Sequence, residues 1–303
     1  MGACLCRNLL KNGNVVIAMD NLMTGTKDNI EELMKQPRFQ FIEQDIREEF
    51  DVPYKIDEIY NLACPASPIH YQKDPIGTIR TNVEGMFHVL DLGRKYGAKV
   101  LQSSTSEVYG NPSVHPQTEE YAGSVRTIGP RACYDEGKRL AETLCYEYRN
   151  HYGIDTKIIR IFNTYGPGMR VDDGRVISNF ICQVLEGDSL TIYGDGNQTR
   201  SFCYVDDLIR GMIKMMETPF SIAGPINLGN PQELTVLEVA EMISDQIGTQ
   251  VTMKYEEFPV DDPVRRKPDI TLAKKLLGWE PKIPLEVGLV KTIEYFREKL
   301  QRN

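Results

Sequence analysis

The chain lacks any apolar run approaching the roughly 20 residues that cross a bilayer, so no membrane span is expected. It lacks an excess of positive charge. Thirty-five Lys and Arg against 43 Asp and Glu leave a formal net charge of −8, with a pI near 5.2. That balance argues against a nucleic-acid surface, while leaving room for an anion held by a few placed arginines and helix N-termini. It also lacks clustered cysteines. The seven (Cys4, Cys6, Cys64, Cys133, Cys145, Cys182 and Cys203) are scattered and odd in number, the pattern of reduced thiols in a cytoplasmic protein. Cys4-Leu5-Cys6 is too tight for a zinc pair and has no second pair, so core cysteines and no metal site are expected. No internal repeat, low-complexity tract or signal peptide is visible, although a start this abrupt could have removed a signal peptide. What is present is an ordinary globular composition: 303 residues, 41% apolar and 26% charged, enough for one large domain or two moderate ones.

The first segment, "MGACLCRNLLKNGNVVIAMDN", reads as a helix (Leu5, Leu9, Leu10) closed by Asn12-Gly13. A strand over 15–19 follows and ends on Asp20. A helix feeding a strand with an acid at its tip is the second half of a dinucleotide-binding βαβ unit. Only Met1 and Gly2 precede that helix, where a first strand and a Gly-rich turn would stand. Alternation continues. Residues 39–42 lead to Asp45, and 56–63 lead into the loop "CPASP". Helical spacing over 76–96, an apolar strand over 98–104, a helix over 130–152 and a strand over 156–162 complete the pattern. This predicts an α/β fold: a Rossmann-like, doubly wound parallel sheet covered on both faces, with ligands beyond the carboxyl ends of the strands.

After Phe162 the texture changes. "NTYGPGMRVDDGR" is Gly- and Pro-rich loop; helices are expected over 176–185, 235–247 (Thr235 and Glu238 in capping-box spacing, Gly248 as stop) and 285–300. The expected division is a Rossmann-like domain over 1–164 plus about 204–222, and a smaller C-terminal substrate lobe over 165–203 and 223–303.

The sharpest chemical signal is Tyr134-Asp-Glu-Gly-Lys138. On a helix, residues four apart share a face. A free phenol, with a pKa of about 10, is a poor base at neutral pH. An adjacent ammonium favours the phenolate, and Tyr134 could then take a proton from a substrate hydroxyl as its carbon loses hydride. This spacing also arises by accident on amphipathic helices. Upstream, however, the strand Val100-Leu101-Gln102-Ser103-Ser104 opens into "TSEVYG", placing Thr105 and Glu107 at a strand's carboxyl end. A hydroxyl cluster there could equally be a turn or helix cap.

Together these segments resemble the extended short-chain dehydrogenase/reductases that act on nucleotide sugars, and within them the UDP-glucuronic acid decarboxylase (UDP-xylose synthase) family. The likeness runs essentially end to end through "NLACPASPIHYQ", "STSEVYG", "GPRACYDEGKR", "RIFNTYGPGM", "DGRVISNFI", "YGDGNQTRSFCYVDDL", "NLGNP", "RRKPDI" and "LGWEPKIPLEVGL". It implies NAD as cofactor and conversion of UDP-glucuronate to UDP-xylose through a 4-keto sugar, with Thr105, Tyr134 and Lys138 acting at C4. Glu107 is expected to handle a proton or orient the sugar around C5, the alternative being a carboxylate paired with a backbone amide. The related 4,6-dehydratases usually carry an acid where this chain has Ser106. Asp20 would hold the adenosine ribose, beside Asn21, Thr24 and Gly25; its alternative is a turn aspartate. Gly2 would stand at the last glycine of the phosphate turn. Asp45 and Ile46 would flank the adenine, and Leu62, Ala63, Thr81 and Ser103 the nicotinamide side. Asn163, Asn179, Tyr193, Arg200 and Arg266 would hold UDP and sugar, with Arg266 on the pyrophosphate or the sugar carboxylate; "RRKP" could also be a solvated charge run.

Two departures stand out. Asn61 takes a position where relatives often have His, and the family's first strand and GxxGxxG turn are absent from these residues. A chain of this extent is therefore expected to hold NAD weakly. The likeness further implies a homodimer built on the helices near 77–96 and 131–151. Two other readings remain open: an oxidative decarboxylase that releases NADH and a UDP-4-keto-pentose, and an inactive sugar-nucleotide-binding homologue.

Overall fold

The computed structural model describes residues 1–258 and 265–301. Helix α1 (Gly2–Lys11) ends at Asn12 and feeds β1 (Val16–Asp20), which pairs in parallel with β2 (Phe39–Glu43), Val16 opposite Phe39 and Asp20 opposite Glu43. The short α2 (Glu31–Met34) lies between them. A small core of Leu10, Val16, Ile30, Leu33 and Phe39 holds this unit together. The second part of the sheet follows: β3 (Glu58–Asn61), the short α3 (Pro68–Tyr71), α4 (Pro75–Tyr96), β4 (Lys99–Thr105), α5 (Ala132–Tyr152) and β5 (Thr156–Ile161). Asp74 caps α4 by accepting the Gly77 amide at 2.8 Å. Gly97 and Gly153 end α4 and α5 in the left-handed region, φ 66° and 72°, where a Cβ would clash with its own backbone.

From β5 the chain enters the lobe through β6 (Thr164–Tyr165), α6 (Val176–Glu186), β7 (Leu190–Tyr193), β8 (Thr199–Ser201) and β9 (Cys203–Tyr204). Helix α7 (Val205–Met216) then returns it to β10 (Ile226–Leu228), which pairs in parallel with β5. The large sheet therefore runs β10-β5-β4-β3, so Ile226–Leu228, expected within the lobe, pairs into the large sheet. The three residues Ile226–Leu228 are fully buried, and a strand that short carries no periodicity of its own. The lobe is completed by β11 (Glu233–Thr235), α8 (Val236–Ile247), β12 (Met253–Glu256), β13 (Arg265–Arg266), α9 (Thr271–Leu277) and α10 (Leu285–Gln301). The expected capping box at Thr235 and Glu238 is formed.

In the doubly wound order the neighbour of both β1 and β3 would be one further parallel strand. Among the described residues no strand pairs with β1 on that side or with β3 on its outer side, so the sheet stands as β2-β1 and β3-β4-β5-β10. The difference shows in burial. Every residue of β4 after Lys99 is buried, whereas β1 buries only Val16.

Candidate active site

Strand β4 delivers the site. Thr105 closes it, and its Oγ1 accepts the Glu107 amide at 3.2 Å, starting a single 3₁₀ turn over Ser106–Tyr109. Helix α5 lies against β4 and α4, close enough that a Cβ on Gly137 would stand 3.0 Å from Asn82 Nδ2. Its inner face carries Tyr134 and Lys138 one turn apart, both buried. Lys138 Nζ donates to the Ser103 carbonyl at 3.0 Å and lies 5.9 Å from the Tyr134 ring centroid. Tyr134 is hydrogen-bonded to Thr105 and stacked on Tyr71, with centroids 4.9 Å apart and planes 6° from parallel.

The expected lowering of the phenol pKa by Lys138 is not seen. Burial pushes Tyr134 well above the ordinary phenol value, and it pushes Lys138 down. The site is dry, so a phenolate is penalised more than one desolvated ammonium, engaged on a carbonyl, can offset. In the protein alone Tyr134 is a neutral phenol.

Glu107 is revised too. Its carboxylate lies between Arg131, at 2.6 Å, and Arg266, bound through both guanidinium nitrogens. Burial would raise its pKa, but Arg266 and Arg131 overcome that and hold it near 2. A carboxylate held that low favours the orienting half of the expectation over the proton-handling half. Its carboxylate is paired with two guanidiniums and not, as the alternative had it, with a backbone amide. Arg131, Tyr71 and Asp135 were not singled out from the sequence, although all three stand within the quoted segments "NLACPASPIHYQ" and "GPRACYDEGKR". Arg131 is one turn before Tyr134, a spacing that could have flagged it. Arg175 was also missed. It pairs with Asp173 at 2.7 Å and is electrostatically coupled to Tyr134.

At the other end, Asp20 is exposed at the tip of β1 and accepts the Leu22 amide at 2.7 Å. The loop through Thr24 folds back, so that a Cβ on Gly25 would stand 3.0 Å from Asp20 Oδ2. Asn21 Nδ2 reaches Asp45 Oδ2 at 2.9 Å, bringing the two strand ends together. Asp45 is also gripped by Arg47, with contacts of 2.7–3.0 Å, and this pairing holds it far below the usual carboxylate range. The Ile46 side chain covers Gly85, where a Cβ would stand 2.6 Å from its Cδ1. Gly2 opens α1, and a Cβ there would meet nothing within 4 Å. On the nicotinamide side, Ala63 donates its amide to Asn61 Oδ1 at 3.2 Å, Leu62 is half-buried, Ser103 engages Lys138, and Thr81 Oγ1 turns back to the Gly77 carbonyl at 2.8 Å. Asn61 Nδ2 meets Gln102 Oε1 at 2.8 Å inside the sheet.

These groups fit NAD. An exposed carboxylate suits a ribose diol, an open helix start suits a phosphate, and a buried Tyr–Lys–Thr set stands at the far end. Among the expected substrate residues, Arg200 and Arg266 are buried opposite each other on β8 and β13. Asn163 follows β5 and its carbonyl accepts the Cys203 amide at 2.9 Å. Asn179 is half-buried on α6, and Tyr193 is exposed at the end of β7. Arg266 is tied to the Tyr134 end through Glu107.

A buried Tyr–Lys pair four residues apart, beside a strand-end threonine at a parallel sheet, agrees with the likeness to the extended short-chain dehydrogenase/reductases. Residues 1–229 match the model of the NAD dependent epimerase/dehydratase family, and the chain belongs to that family. NAD is its cofactor. The chain is 52% identical over 301 residues to UDP-glucuronic acid decarboxylase 6 of Arabidopsis thaliana, covering 99% of this chain and 87% of that protein. It is 49% identical to UDP-glucuronic acid decarboxylase 1 of Xenopus tropicalis, with 99% and 70% covered. Among solved structures, UDP-glucuronic acid 4-epimerase from Bacillus cereus, in complex with UDP-glucuronic acid and NAD, superposes with a TM-score of 0.88 at 31% identity, covering 98% and 96%.

Proposed function

We infer that the protein converts UDP-glucuronate to UDP-xylose, with NAD recycled in the site. The observation that carries this reading is the buried Tyr134–Thr105 pair next to an arginine-clamped Glu107, with Ser106 rather than an acid between them. When bound, NAD⁺ supplies the hydride acceptor. Tyr134, its pKa raised by burial in the protein alone, would first have to give up its phenol proton, which the positive charges of bound NAD⁺ and Lys138 would favour; the phenolate, bonded to Thr105, then takes the proton of the sugar C4 hydroxyl. The 4-keto sugar then carries its C6 carboxylate β to a ketone. The C5–C6 bond breaks, CO₂ leaves, and the electron pair moves onto the C4 oxygen. Neutral Tyr134 donates a hydrogen bond to that developing enolate; C5 then takes up a proton in place of CO₂, and return of the hydride to C4, with the Tyr134 proton going to the C4 oxygen, gives UDP-xylose. Arg266 and Arg131 fix Glu107, which orients the ring. Decarboxylation expels no hydroxyl, so the position of Ser106 needs no acid.

The test is product analysis with UDP-glucuronate and NAD⁺. Catalytic UDP-xylose and CO₂ without NADH build-up are expected. Stoichiometric NADH with a UDP-4-keto-pentose would replace this reading with the oxidative one. Two further parts of the proposal concern assembly and place. Exposed Ile76, Ile79, Phe87, Leu140 and Tyr146 on α4 and α5 support a homodimer through those helices, and light scattering reads its mass. The seven thiols, all unpaired, support a cytoplasmic protein, which fractionation checks.

A further inference from the structure

Asp135 has no part in the mechanism above, yet it stands within its charges. It follows Tyr134 in the first turn of α5 and is 7% exposed, and its Oδ1 is fully covered with no hydrogen-bond partner. The charged and titratable groups facing it are Glu107 from the strand-end turn, Arg266 from β13, Tyr71 from α3, and Arg131, Cys133, Tyr134 and Glu136 beside it. Two carboxyl groups thus share one buried cluster; Arg131 and Arg266 bond Glu107 directly, and offset burial and the Glu107 charge at Asp135 only in part. Burial and the neighbouring Glu107 charge push Asp135 up to about 7. A buried carboxyl whose Oδ1 has no hydrogen-bond partner, in a cluster that already holds one paired carboxylate, favours its neutral form over a second negative charge.

We propose that Asp135 is a positioning residue that keeps a proton while the anionic sugar is bound, so that the substrate carboxylate meets one ionised carboxylate in this cluster and not two. This rests on the hexuronate substrate proposed above. A carboxylate brought beside Tyr134 raises Asp135 further, so binding takes up a proton wherever free Asp135 is ionised, and affinity falls as pH rises. Neither the sugar carboxylate nor the diphosphate of the ligand titrates near neutrality. A sugar without the carboxylate has no such coupling.

The experiment is calorimetric titration of NAD⁺-loaded protein with UDP-glucuronate or UDP-xylose, from about pH 6 to pH 9, in two buffers of different ionisation enthalpy. The Tyr134→Phe background keeps the substrate intact. UDP-glucuronate is expected to lose affinity above neutrality, toward tenfold per pH unit, with uptake approaching one proton. UDP-xylose should show neither effect, and Asp135→Asn should abolish both for UDP-glucuronate. An alkaline limb that survives in Asp135→Asn, or one shared by UDP-xylose, overturns the proposal. Should Asp135→Asn not fold, pH-independent UDP-glucuronate binding without proton uptake overturns it from the unsubstituted residue alone. Turnover to UDP-xylose with such binding sinks only the role of Asp135; proton-linked binding without CO₂ release by the unsubstituted enzyme sinks only the decarboxylase reading.

Discussion

The two ends of the dinucleotide site are built differently. At the chemical end, β4 is paired on both sides, every residue from Val100 to Thr105 is buried, and Tyr134 and Lys138 reach it from a 21-residue helix. At the adenosine end, Asp20 stands exposed at the tip of a strand that pairs only with β2 among the described residues, over a five-residue-pair register. The difference separates two tasks. The proposed catalytic groups are buried in a low-dielectric core, where electrostatic interactions are strong. The residues proposed for cofactor recognition at the far end offer a few polar contacts open to water. Substitutions at the first end should therefore act on rate, and those at the second on cofactor affinity.

The largest effect is expected from Tyr134→Phe. The ring keeps its stack on Tyr71 and loses only the hydroxyl bonded to Thr105. Turnover should fall about 10²–10⁴-fold, while UDP binding by calorimetry stays unchanged. Near-normal turnover would place the proton acceptor elsewhere and remove the basis of the comparison.

Next comes Glu107→Gln. It leaves Arg131 and Arg266 without the carboxylate between them in a buried setting, and breaking a buried pair costs about 3–5 kcal/mol. A lower melting temperature at neutral pH is expected. The sign of its pH dependence follows from the depressed pKa. Folded Glu107 titrates near 2 against an ordinary 4.5, so its contribution is fully present above about pH 4.5 and fades as pH falls toward 2. The gap between the two proteins should close over that window, as read by thermal melts. A gap independent of pH would mean that charge is not what Glu107 contributes.

How much of this was legible beforehand depended on sequence distance. Some helix limits announced themselves through local chemistry: Gly248 at a left-handed end, and Thr235 with Glu238 as a capping box. Tyr134, Lys138 and Thr105 were legible because strand end and helix face each have a local pattern. The clamp on Glu107 was not, since Arg266 lies 159 residues away and only the fold brings them together. The neutral state of Tyr134 was not legible either, because its cause is burial, which depends on packing by Tyr71 and the surrounding elements. Ile226–Leu228 was assigned to the lobe for the same reason: a three-residue strand is identified by its partner, here β5.

At the exposed end, Asp20→Asn keeps the turn shape, because the amide oxygen can still accept the Leu22 N–H. It weakens an acceptor for a ribose diol from charged to neutral. Charged hydrogen bonds are about twice as strong as neutral ones, so a loss of about tenfold in NAD affinity is expected. Turnover at saturating NAD⁺ should not change. A fall in saturated turnover instead would show that the two ends are mechanically coupled, and the separation of tasks would fail.

The smallest effect is on local stability, and it tests the comparison without any substitution. A two-stranded sheet is marginal by itself, and β1-β2 rests on a core of five buried residues separate from the main one. The amides of Ile17, Ala18 and Met19 should therefore open to solvent at lower free energy than those of Leu101, Gln102 and Ser103, whose strand is paired on both sides. Hydrogen exchange in the absence of added NAD⁺ should show the first group exchanging faster, and added NAD⁺ should slow it through Asp20 while leaving β4 nearly unchanged. The ligand stabilises what it touches, and β4 is already close to the global limit of protection. Equal protection of both strands without cofactor would mean that β1 belongs to the same cooperative unit as β4, and that the exposure of Asp20 reflects only its place at a strand tip.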